Sequence, residues 1–190
     1  MDRTTRMMRT ASTEFKTRDD SGKLAIEGYF AVFNSNYEID TGLSESIAEG
    51  AFDNTLSDDI RALINHDTTL VLGRTKAGTL QLRTDSHGLW GHIDINPNDT
   101  DAMNLYNRVQ RGDVDQCSFG FDILNEETDF REDGSVHWTI KEVKLYEVSP
   151  CTFPAYEETN IAARTKERDE LIKRRNEAWK EKMLKQLKGE

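Results

Sequence analysis

The sequence predicts a mainly β domain, a barrel or sandwich decorated by a few helices. Three observations carry this expectation. Six or seven short runs have strand composition and are bounded by Gly, Asp and Asn. Only two stretches between them have helical character. The last segment of the 190-residue chain differs from the rest in composition. A chain of this length holds one domain of ordinary size with room for an appendage, and it can bury a real core.

In chain order, residues 1–22 are polar and are expected to be loose. Leu24 to Phe33, "LAIEGYFAVF", has strand composition. Ile60 to Ile64 ("IRALI"), Leu80 to Leu82 ("LQL") and Leu89 to Ile95 ("LWGHIDI") add short strands. "QCSFGFDI" (Gln116 to Ile123) alternates Phe119, Phe121 and Ile123 with smaller or polar residues, which is strand periodicity, and Val136 to Val148 completes the set. Ser46 to Leu56 is expected to form a short helix. A second helix is expected from Asp101 to Arg111, with Asp99 or Thr100 as N-cap and Gly112 just past its end. Thr165 to Lys188 lacks Gly and Pro, and Ile172, Trp179, Met183 and Leu187 fall on one helical stripe. This amphipathic helix either lies on its own domain or projects to bind a partner. The division is therefore an N-terminal segment (1–22), a body (23–163) and a charged C-terminal helix (164–190).

Charge separates the same regions. Ten Lys/Arg and six Asp/Glu from Arg164 to Glu190 leave that segment at +4, whereas the remainder carries −14. An acidic body argues against a nucleic-acid binder, which needs a basic face to release counterions, and suits a partner with basic segments. Cys117 and Cys151 form no disulfide framework or CxxC pair, so a reducing, cytosolic setting is expected. The N-terminus has no apolar run after its basic residues, and no stretch approaches the ~20 apolar residues of a spanning helix. The reading is a soluble, intracellular protein without a membrane association.

Four histidines are candidates for chemistry: His66, His87, His92 and His137. His66, in "LINHDTTLVLGR", lies where an apolar strand ends, and a strand end presents groups to a cleft. On this ground alone it is open between a structural and a catalytic part. Asp67 would point away from it in extended structure. His87 and His92 fall on opposite strand faces, which is not a metal-site pattern, and His137 is expected to be exposed. Ser118 has no G-x-S-x-G elbow around it, so an α/β-hydrolase reading fails. Cys117 is the neighbouring candidate nucleophile, and since side chains alternate only one of the two can face a given cleft. Gly120 would let a substrate backbone come close. Glu147, between Tyr146 and Val148, is either a solvent-facing carboxylate or a buried one that must be paired.

The blocks "EGYFAVFN", "GAF", "LINHD…LGR", "GLW", "RGDVDQCSFGF" and "EVSPCTFPAY", in this order across residues 24–160, resemble the HK97-like prohead maturation proteases of tailed phages. That family is similar in fold to the herpesvirus assemblins. The resemblance implies a closed or nearly closed, mostly antiparallel β-barrel of about six to seven strands surrounded by helices. It implies His66 as base, Ser118 as nucleophile and Glu147 as third member, with Phe119 and Gly120 binding substrate and neither metal nor cofactor. Its implied substrates are scaffold segments of the major capsid protein and the enzyme itself, inside a procapsid in the host cytoplasm, with self-association open. One departure stands out: "VSPCTFPAY" has no arginine, whereas assemblins use one from this loop at the oxyanion, which leaves a backbone N–H as the expected donor. Two rivals remain. One is a non-catalytic assembly protein that retains the fold, the other a cysteine hydrolase using Cys117 with His66.

Overall fold

A computed structural model describes residues 7–12, 15–20, 23–131, 133–153 and 158–188. Two β-sheets share one core. The first has seven strands, ordered β1 (Met7–Ser12), β10 (Gln116–Phe130), β11 (Val136–Cys151), β5 (Leu43–Ile47) and β4 (Tyr37–Asp40), with β6 (Arg61–Ile64) also on β11 and β7 (Asp67–Arg74) on β6. The second has four, ordered β2 (Lys16–Asp20), β3 (Lys23–Val32), β9 (Gly88–Ile95) and β8 (Leu80–Thr84). Among the described residues neither sheet closes on itself, so the expected barrel is replaced by two open sheets. Nor is the larger sheet wholly antiparallel, because β5 and β6 both run parallel to β11.

The core explains the composition of the strands. Ile26, Phe30, Leu89 and Ile93 of the smaller sheet meet Phe119, Phe121, Val143, Leu145 and Val148 of the larger, all buried. Each such side chain contributes roughly 1.5–3 kcal/mol of transfer free energy. Gly91 is required by this packing, because a Cβ there would lie 2.6 Å from the Phe30 ring.

The polar N-terminus, expected to be loose, supplies β1 and β2 among its described residues, antiparallel to β10 and β3 respectively. The helix expected at Ser46 to Leu56 is absent. Residues 43–47 are strand and the following ones form successive tight turns. The cause is the edge of β11, which β5 covers at its start and β6 near its end. Between them the chain bonds to the exposed edge: the Ala48 N–H to Ile140 O, the Val143 N–H to Ala51 O, and the Leu145 N–H to Thr55 Oγ1 at 2.9 Å. Satisfying those buried groups outweighs a weak helical propensity.

The other helix is where the sequence put it. In α1 (Thr100–Arg111), Asp99 Oδ1 accepts from the Asp101 and Ala102 N–H groups, and Gly112 closes the end in the left-handed conformation. The C-terminal helix α2 (Glu158–Lys188) begins several residues earlier than expected. It is anchored by Arg164, which is fully buried over the Trp138 ring and bonded to Glu45, Glu126 and Glu167. Ile172 is half-buried, whereas Trp179 and Met183 are exposed, so the helix docks through its first half and projects beyond it. The Leu187 side chain, like Pro154, Ala155 and Tyr156 of the "CTFPAY" block, lies outside the described residues. Among the described residues no helix is long and apolar enough to cross a membrane.

Candidate active site

The β6–β7 connection is a two-residue hairpin. Ile64 pairs with Asp67, and the residues between them, Asn65 and His66, have φ of +50° and +62°. Positive φ at both central positions is the mark of a type I′ turn. Asparagine suits it, but an imidazole-bearing residue is held there at a cost of about 1–3 kcal/mol. The restraint comes from the end of β11. The Asn65 N–H donates to Pro150 O at 3.1 Å, and its Oδ1 accepts from the Thr152 N–H at 2.9 Å. The His66 N–H donates to Ser149 Oγ at 3.3 Å.

On β11, Glu147 and Ser149 are two apart and share a face. Across the ladder they oppose Gly120 and Ser118 of β10. Cross-strand partners stand about 5 Å apart on the same face, so register alone gathers Ser118, Ser149, Glu147 and Gly120. Glu147 is buried, with 3% of its surface exposed. Its Oε1 lies 2.7 Å from His66 Nδ1, and its Oε2 accepts from the Ser149 hydroxyl at 2.6 Å. A carboxylate can only accept, so Nδ1 of a neutral His66 carries the proton and Nε2 presents its lone pair.

Two buried polar atoms at this site have no hydrogen-bond partner: His66 Nε2 and Ser118 Oγ. One is an acceptor and the other a donor, and no hydrogen bond joins them. Such contacts commonly tighten only when substrate is bound. The pair is suited to move a proton from the hydroxyl to the imidazole, with the Glu147 carboxylate stabilising the cation that results.

The other sequence candidates lie elsewhere. Cys117 faces the core, its thiol 3.1 Å from Tyr29 O and 3.6 Å from Phe30 O, on the opposite side of β10 from Ser118. Burial, and then the Glu147 charge, push the Cys151 thiol up to about 11, so it stays protonated. The Phe119 side chain, expected to bind substrate, instead packs in the core against Phe52 and Phe121, because the strand alternation turns it away from the Ser118 face. Both edges of Gly120 are paired, to Met8 and to Glu147. His137, expected to be exposed, is half-buried between Ser44 Oγ and Ser46 Oγ at 2.8 and 2.9 Å. His92 lies between Glu27 and Asp94, and His87 packs edge-on against Tyr29. Among the described residues no group of three or more His, Cys, Asp or Glu could hold a metal ion. Residue-by-residue reading missed Asn65 and Ser149. The turn-prone asparagine before His66 and the i, i+2 pair in "EVS" were the available signals.

The profile of the caudovirus prohead serine protease family matches residues 11–174. The prohead protease of Enterobacteria phage HK97 is 33% identical over 155 residues, covering 80% of this chain and 64% of that protein. The chain thus spans less than two thirds of that relative's length. In structure it is similar to the bacteriophage T4 capsid assembly protease, with a TM-score of 0.50 and 11% identity over 77% of this chain and 96% of that one. At that identity the likeness concerns fold.

Proposed function

Because the chain belongs to the caudovirus prohead serine protease family, we propose that it is a serine endopeptidase of phage procapsid maturation, with Ser118, His66 and Glu147 as its catalytic residues. The observation that carries this reading is the buried His66–Glu147 hydrogen bond beside two unpartnered atoms, Nε2 and Ser118 Oγ.

In the proposed reaction Ser118 Oγ attacks the scissile carbonyl carbon while His66 Nε2 takes its proton. The tetrahedral oxyanion collapses, the C–N bond breaks, and the imidazolium passes the proton to the departing amine. Water, deprotonated by the same Nε2, then attacks the ester, and Ser118 regains its proton. Glu147 holds the imidazole in the tautomer that leaves Nε2 free and stabilises its cation. The family relationship and the acidic body together favour scaffold segments of the major capsid protein as substrates, along with the enzyme's own chain, within the procapsid.

A serine-directed fluorophosphonate compared with a thiol alkylator tests the nucleophile. Labelling of Ser118 that is lost in His66→Ala is expected. Alkylation of Cys117 with loss of activity would favour a cysteine hydrolase. If neither residue is labelled and co-expressed capsid protein stays uncleaved, the protein is an assembly factor that retains the fold.

A further inference from the structure

We infer that Ser149 is a positioning residue of this site, acting through both Glu147 and the main chain of His66. The inference deepens the serine-protease reading and rests on it. The Ser149 side chain is fully buried, and its hydroxyl is used twice. It donates to Glu147 Oε2 at 2.6 Å and accepts from the His66 N–H at 3.3 Å. One oxygen thus ties together the carboxylate that orients the imidazole and the backbone that carries it.

The need for such a tie is visible locally. Glu147 has two carboxylate oxygens, and only Oε1 meets His66. With Oε2 unrestrained, the carboxylate could rotate about its last bond, a torsion that is broad rather than locked. The hydroxyl removes that freedom and satisfies an anionic oxygen that would otherwise be buried without a donor. At the same time His66 sits at a φ of +62° in a two-residue turn, and its N–H has Ser149 Oγ as acceptor. Ser149 also stands directly opposite Ser118 in the β10–β11 register. The strand that carries the nucleophile is therefore keyed, through one cross-strand pair, to the residue that holds the base.

The test compares Ser149→Ala with Ser149→Cys. Cysteine fills nearly the same volume but is a weak donor, so it separates packing from hydrogen bonding. Both variants are expected to lower kcat about 10- to 100-fold, the range typical of losing a hydrogen-bonded support behind an active side chain, with KM changed by less than about twofold. In proton NMR, the downfield His66 Nδ1–H signal is expected to broaden through faster solvent exchange in both. Wild-type turnover in either variant, or an unchanged Nδ1–H signal, overturns the inference, as does recovery in Ser149→Cys. If Ser149→Ala fails to fold, Ser149→Cys decides alone. Failure of the protease reading looks different: the wild type would cleave nothing and resist fluorophosphonate. The Nδ1–H signal would then decide Ser149's positioning part independently of turnover.

Discussion

Replacing Ser118 with alanine is expected to abolish cleavage while leaving the protein as stable as before, or more so. Ser118 is fully buried and its Oγ has no hydrogen-bond partner. A buried hydroxyl without a partner costs about 1–3 kcal/mol. Alanine removes that penalty together with a single oxygen, and the void left is smaller than a methyl group, worth under about 1 kcal/mol. The balance is a gain of roughly zero to 2 kcal/mol, or a rise in Tm of up to about 8 °C for a domain of this size. Turnover should fall about 10⁶-fold, as when an attacking serine is removed from a triad acting as a unit. Calorimetry of the purified variant reads the first quantity, and mass spectrometry of cleaved capsid-derived peptide reads the second. A fall in Tm of more than about 4 °C would show that the hydroxyl has a structural partner. Retained cleavage would place the nucleophile elsewhere.

Three further outcomes follow from the same geometry. Glu147→Gln should fold but lose about two to four decades in kcat, since an amide facing Nδ1 can hold the imidazole in the wrong tautomer; undiminished turnover in steady-state assays would remove Glu147 from the site. Arg164→Ala should destabilise the protein by about 3–5 kcal/mol in urea unfolding, because buried Glu45 loses its buried cation; a change under about 1 kcal/mol would mean that α2 is not anchored there. His92→Gln should have a pH-dependent cost. Burial pushes the His92 pKa down, but hydrogen bonds to Glu27 and Asp94 outweigh it and the net shift is upward. The stability it contributes is therefore fully present below the ordinary value near 6.5 and is lost as pH rises through the folded value. Wild type and variant should differ in Tm at pH 5 and converge at pH 9, and a difference that grows with pH would contradict this.

Much of this molecule could be read from residue order. The period-two alternation of "QCSFGFDI" is local, and it assigned Cys117 and Ser118 to opposite faces before any contact was known. The capping pattern around α1 is local too, since Asp99 and Gly112 satisfy backbone groups of their own helix. Glu147 illustrates the limit. Its neighbours are apolar, which fits a buried acid or the solvent face of an alternating strand equally well. Only the partner strand, with Gly120 opposite, and the turn that brings His66 within 2.7 Å make it a buried and paired carboxylate.

The remaining differences share a cause. Residues 46–56 read as helix because helical propensity is short-ranged, yet from Ala48 onward their backbone is claimed by the uncovered edge of β11, some 90 residues later in the chain. Barrel closure likewise depends on which strands meet at the ends of a sheet, and strand composition carries no information about that pairing. Sequence by itself determined the strand-rich class, the helix at 101–111, the charge division and a short set of candidate site residues. Tertiary structure decided that the sheets stay open, that Arg164 is buried, and that Ser149 joins Glu147 and His66. Hydrogen-bond register between distant segments is a property of the assembled sheet, set by the simultaneous satisfaction of buried polar groups that no single stretch contains.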